Sequence, residues 1–150
     1  MRHRLSGLVL VATALVAAPA VATERSAHTN YVLRCTGCHG MEGAGSEQAG
    51  IPDFRGYVGS FARSEDGRLY LMHVPGVTNA SLGDAEVAAV MNYVMERFAG
   101  ASRDPQAAPF TAEEVARLRA EPVADVVALR RTVAAQSTSA GWPVAGYPWP

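Results

Sequence analysis

The only two cysteines of this 150-residue chain lie in Cys35-Thr36-Gly37-Cys38-His39, two residues apart and followed directly by histidine. No other feature restricts the fold as much. C-x-x-C-H is the spacing through which a haem is attached. Each thiol can add to one haem vinyl group, and the adjacent histidine then lies under the iron, where it can supply the proximal ligand. The motif therefore implies a cofactor and either of two jobs: moving electrons or binding something at iron.

Two other chemistries use the same residue types and fit less well. A thioredoxin-type disulfide needs a βαβ context, and the sequence has no run of β-branched strands. A structural zinc site needs about four ligands. Cys35, Cys38 and His39 leave one missing, with only His3, His28 and His73 elsewhere.

The N-terminus agrees with the motif. Arg2, His3 and Arg4 form a basic start, Leu5 to Ala18 is apolar and uncharged, and Ala20-Val21-Ala22 is a small-x-small cleavage site. The apolar stretch is shorter than the ~20 residues of a spanning helix. Residues 1–22 are thus expected to be a cleaved secretory signal, with no permanent membrane anchor afterwards. Haem c is attached on the exported side of a bacterial membrane, so a periplasmic location is expected. The remaining 128 residues suffice for one small domain. Thirteen basic residues, all arginine, stand against fourteen acids, giving a net charge of −1. The signal takes Arg2 and Arg4 and no acid, so the mature charge is −3. No basic surplus points to nucleic acid, and a lysine-rich docking ring is absent.

Along the chain, Ser26 to Arg34 reads as a short helix, with Tyr31 four residues before Cys35 on the same face. Gly40 to Gly45 is a glycine-rich turn that lets backbone approach a flat ligand. Ile51 to Gly56 is a loop fixed by Pro52. Ser60 to Met72 has helical spacing, with a break expected at Gly67 and an end at Pro75-Gly76. From Asp84, Val87, Val90, Met91, Val94, Met95 and Phe98 recur at three and four, marking an amphipathic helix of about 15 residues. Gly100 suits its C-terminal end.

These residues resemble the class I c-type cytochromes. The likeness rests on Tyr31, Cys35, Cys38, His39, Gly40, Gly43, Gly45, Pro52, Gly56, Leu82, Asp84, Glu86 and Tyr93, and covers about residues 27–100. Phe54 replaces the family's usual leucine, and Gly83 its usual serine cap. The resemblance implies an all-α, cytochrome c-like domain around one covalently attached haem c. It also implies that the Pro52 carbonyl accepts the His39 Nδ1 proton, fixing the tautomer that leaves Nε2 for iron. The first and last helices of that domain are expected to cross near Tyr31 and Tyr93.

One departure concerns the sixth ligand. The family places a methionine directly before a proline, and here that residue is Val74. In an extended segment, residues two apart face one side, so Met72 is expected to ligate in its place. His73 and an open site are the alternatives. A thioether raises the haem potential relative to bis-histidine ligation, and an open site permits ligand binding. Met91 and Met95 read as core.

Residues 101–150 lie outside the pattern and read as a helical extension. Thr111 to Glu114 has capping-box spacing, a second helix is expected from Pro122, and Gly141 to Pro150 is an irregular aromatic tail. A helical hairpin packed on the core is the plain expectation; exposed aromatics docking a partner is the sharper one. The domains are thus 1–22 signal, 23–100 cytochrome c domain and 101–150 extension, the last expected to be dispensable for haem attachment. The function expected is non-enzymatic: one-electron carriage between redox partners, a periplasmic dehydrogenase or a membrane respiratory complex. The alternatives are a small-ligand-binding or sensing haem protein and a cytochrome subunit of a dehydrogenase. Mass spectrometry of the exported protein is expected to give a chain starting at Thr23 plus one haem; an intact Met1 in a membrane fraction would show an anchor.

Overall fold

The computed structural model describes residues 25–147. The signal segment 1–22 and the last three residues of the tail lie outside that range. Among the described residues the fold is all helical: α1 (Ala27–Arg34), α2 (Thr36–His39), α3 (Val58–Phe61), α4 (Glu65–His73), α5 (Pro75–Thr78), α6 (Asp84–Phe98), α7 (Ala112–Ala120) and α8 (Val126–Ser139). The sole β pairing there is an isolated bridge between Ser46 and Ile51.

Local chemistry explains most boundaries. Ser26 Oγ accepts from the Thr29 amide and starts α1. Arg34 sits in its last turn, where the helix dipole favours a cation. Ser64, Thr111 and Asp125 cap α4, α7 and α8 in the same way as Ser26. At α6 the Glu86 carboxylate accepts from the Gly83 amide at 3.1 Å, which is the half of a capping box that glycine permits.

Three sequence expectations shift. The break expected at Gly67 falls instead at Ala62–Ser64. Gly67 lies in the first turn of α4, where a Cβ would strike the Phe61 carbonyl oxygen. That glycine allows a close approach and does not interrupt the helix. Pro75 does not stop the chain's helical path: it opens α5 from the first position, where its missing N–H costs nothing. The last helix begins after Asp125 and not at Pro122, because Asp125 supplies the side-chain cap.

Helix α1 crosses α6, with the Tyr31 ring 5.4 Å from Tyr93 and 5.3 Å from Phe98. The buried Asn30 donates to Glu86 at 3.1 Å across the same junction. Helix α7 lies on α6 and α4, and α8 lies on α4 and α3. Both extension helices therefore dock on the core more than on each other. Val115, Leu118 and Val133 are wholly buried in the same cluster as Tyr31, Met72 and Phe98.

Polar contacts pin the extension at both ends. Asn92 on α6 takes both backbone groups of Phe110, at 2.9 and 2.8 Å. Arg68 on α4 forms a two-pronged pair with Glu114 and lies 3.7 Å over the Phe110 ring. The Arg68 hydrogen bonds are the main reason the Glu114 carboxyl is held below its usual range. In the tail, Ser60 Oγ donates to the Pro143 carbonyl at 2.7 Å, and Arg63 lies 5.0 Å over Trp142. Arg130 is buried, with Tyr147 4.0 Å from its guanidinium and the Ala145 carbonyl at 3.3 Å. Trp142 and Tyr147 are thus engaged by arginines within the molecule.

Gly100 marks where the family pattern ends but not where the hydrophobic core ends. Residues 101–150 share that core with the first helices, and their loss would uncover α4 and α6. Leu118→Ala is expected to cost about 2 to 5 kcal/mol in denaturant unfolding. Val127→Ala, on the exposed side of α8, is expected to stay within about 0.5 kcal/mol. Equal effects would place α7 outside the core.

Candidate haem site

The five motif residues span the joint between α1 and α2. The Cys35 amide donates to the Tyr31 carbonyl at 2.9 Å, and the His39 amide to the Cys35 carbonyl at 2.9 Å. One helical turn therefore carries Cys35, Cys38 and His39. Both thiols are free; Cys35 is half-buried and Cys38 exposed. Burial, and then the nearby Cys38, pushes the Cys35 thiol up. Among the described residues no three His, Cys, Asp or Glu side chains converge to hold a metal ion, which disfavours a structural zinc site made from this motif.

After His39 the chain turns sharply and wraps around its own start. Gly40 and Gly43 have φ of 71° and 70°. Tyr31 Oη donates to the Gly40 carbonyl at 2.7 Å; burial is the main cause that pushes this phenol up to about 12. The Gly45 amide donates to the His39 carbonyl at 3.1 Å, and the Phe54 amide to the Gly43 carbonyl at 2.8 Å. A Cβ at Gly43 would press on the Phe98 ring at 3.0 Å; one at Gly45 would strike the carbonyl oxygens of Ile51 and Pro52. Glycine at both positions lets the loop bring Pro52 to His39.

The His39 imidazole is largely enclosed, and its Nδ1 is buried without a hydrogen bond of ordinary geometry. The Pro52 carbonyl is near enough to favour the protonated ring, but it only partly opposes burial, which pulls the imidazole below its ordinary value. The Pro52 carbonyl thus lies beside the His39 ring, on the side where the resemblance implies a hydrogen bond to Nδ1. Phe54 stacks on the imidazole with ring centroids 3.8 Å apart and planes 19° from parallel. Such an aromatic pair contributes ~0.5–1.5 kcal/mol beyond the area it buries. A buried Nδ1 beside the Pro52 carbonyl and two thiols on the same turn fit a covalently held haem.

The distal expectation meets a different backbone. Met72 and His73 are the last residues of α4, and only Val74 is extended. In a helix, residues two apart do not share a face, so the geometric reason for preferring Met72 does not hold. Met72 is wholly buried in the core. His73 is half-buried, with Nδ1 2.9 Å from the Leu69 carbonyl oxygen. A carbonyl only accepts, so Nδ1 carries the proton and Nε2 keeps its lone pair. Met91 and Met95 are core residues, as expected. His28 is exposed, edge-on to Tyr93 at 5.7 Å.

Sequence reasoning missed what two aromatic residues do. Phe98 read as one more apolar position of α6, yet it also covers Gly43 and accepts the Gly56 amide on its carbonyl at 2.8 Å. Phe54 registered only as a substitution, and an aromatic ring two residues after Pro52 was the available signal. Gly45→Ala is expected to disrupt the Pro52 loop and lower both folding stability and haem retention. Gly37→Ala, whose added Cβ meets nothing within 4 Å, is expected to leave both unchanged. Haem-staining intensity and thermal melts of the two variants check the contrast.

No family model matches the chain. A cytochrome c-552 of Thermus thermophilus is 35% identical over 106 residues, covering 59% of this chain and 80% of that protein. A second Thermus thermophilus cytochrome c-552 is 35% identical over 106 residues and is covered over 71% of its length. Likeness over most of those cytochromes joins the C-x-x-C-H turn, the wrapped loop and the α1–α6 crossing, and the chain belongs to the class I mono-haem c-type cytochromes, all-α electron carriers with covalently attached haem c.

Proposed function

We propose that this cytochrome is an exported, periplasmic one-electron carrier that relays between a dehydrogenase and a membrane respiratory complex. The observation that carries the reading is the helical turn holding Cys35, Cys38 and His39, and the basic and then apolar composition of residues 1–22 supports export. Cys35 and Cys38 would tether the haem, and His39 would ligate its iron through Nε2. Pro52 biases the His39 proton to Nδ1, the role its carbonyl proximity supports. When bound, haem supplies reversible one-electron oxidation and reduction at iron. Half-buried Phe54, which stacks on His39, would give the group an apolar neighbour on the proximal side. In denaturing gels, haem-linked peroxidase staining is expected to survive acid–acetone extraction in the wild type. Cys35→Ala with Cys38→Ala is expected to remove it. Extractable haem in the wild type would sink the reading.

For the sixth ligand, support passes from Met72 to His73. Met72 would have to leave an enclosed place in the core, while His73, at the end of α4, already holds the tautomer that a nitrogen ligand needs. A second reading, an open site that binds a small ligand, is favoured by Val74 at the position where the family carries its methionine. The oxidised wild type is expected to lack the weak long-wavelength band of a thioether–iron bond. His73→Ala is expected to open the iron to CO, and Met72→Leu, a volume-conserving change, to alter neither. A band lost in Met72→Leu would restore Met72; rapid CO binding by the wild type would put the ligand-binding reading first.

A further inference from the structure

The segment from Arg68 to Leu82 carries Met72 and His73, the two candidate sixth ligands. Its middle is weakly tied. Pro75, Gly76, Thr78 and Asn79 are exposed. The amides of Val77, Thr78, Asn79 and Ala80 donate to the carbonyls of Val74, Pro75 and Val77, all within the segment. A stretch held by exposed, local hydrogen bonds opens at low free energy.

Both ends of that segment are tied to α7. At the first, Arg68 meets Glu114 in the two-pronged pair, and the arginine side chain is only 12% exposed. At the second, Arg119 donates to the Asp84 carboxylate at 2.7 Å and to the Leu82 carbonyl at 3.4 Å. Glu114 and Arg119 lie on one helix, roughly 7.5 Å apart along its axis. A further pair, Arg117 with Glu65 at 3.1 Å, stands in solvent and adds little. Helix α7 is itself fastened to the core by the wholly buried Val115 and Leu118.

We propose that α7 is a staple for the distal side of the haem, with Glu114 and Arg119 as positioning residues that hold both ends of the Arg68–Leu82 segment and keep its side chain on the iron. The inference rests on the reading that this segment supplies the sixth ligand. An outside ligand replaces that side chain only when the segment moves aside. With both ends fixed on one helix the segment cannot swing away as a unit, so its release carries the cost of breaking charge-assisted hydrogen bonds to α7. The extension, which lies outside the resemblance to the cytochromes, thereby acts on the iron site without touching it.

The test titrates imidazole into the oxidised, full-length holoprotein and follows the Soret band. Glu114→Gln and Arg119→Gln are made singly and together. The wild type is expected to bind imidazole weakly. The double variant is expected to bind it about tenfold more tightly, roughly 1.4 kcal/mol, and each single variant to move the same way by less. Covalent haem staining is expected to be equal in all. Asn30→Ala controls for general loosening, because buried Asn30 donates to Glu86 and accepts from Arg25 at the α1–α6 junction. It is expected to lower the thermal midpoint and leave imidazole affinity unchanged. Equal affinity in the wild type and every α7 variant would overturn the proposal. So would an Asn30→Ala that gains affinity as much as they do. If the double variant holds no haem, the single variants decide in the same way. Tight imidazole binding by the wild type would instead overturn the reading that the segment supplies a ligand, and the staple with it.

Discussion

The packing of Phe98 against Tyr31 and Gly43 is the junction on which the rest of the molecule depends. Tyr31 fixes α1 against α6, and α1 runs directly into the motif turn. Gly43 leaves room for the Phe98 ring, so the loop after His39 can close over the same spot. The Phe98 carbonyl then holds Gly56 at the far end of that loop. One aromatic side chain thus organises the helix before the motif, the loop behind it and the helix that closes the domain. Emptying such a buried site costs about 3 to 5 kcal/mol, against a total of ~5–15 kcal/mol for a folded domain.

The extension adds polar specificity to that apolar base. Asn92 accepts and donates to one residue's backbone, so it reads Phe110 by geometry and not by side-chain type. Arg68 satisfies a carboxylate and a ring together, which its planar guanidinium allows and an ammonium would not. In a chain without lysine, arginine fills every cationic structural role, at 63, 68, 119 and 130.

Much of this was legible in the residues. The motif named the cofactor, the three-and-four spacing from Val87 to Phe98 gave α6 its length, and Thr111 marked the start of α7. These signals are local and need only neighbouring residues. The errors all involve partners distant in sequence or competing local signals. Gly67 looked like a breaker because the Phe61 carbonyl that needs the space is invisible until α3 and α4 meet. Pro75 and Pro122 are ambiguous between first helical turn and stop, and the cap at Asp125 decided the second. At the site, Cys35, Cys38 and His39 followed from spacing alone. The stacking of Phe54 and the enclosure of Met72 depend on packing, which no spacing rule encodes. The choice of Met72 assumed an extended segment, and the helix continuing to His73 removed that assumption.

The reach of the extension's contacts also sets an order of events. Arg68 and Glu114 are 46 residues apart, and Ser60 and Pro143 are 83 apart. Loops of that length close late and slow the search for the native core. A chain delivered from its N-terminal end presents the thiols first and the residues that seal α4 last. The cover that α7 and α8 lay over α4 and α6 is thus a late layer, built from the part of the chain farthest from the motif.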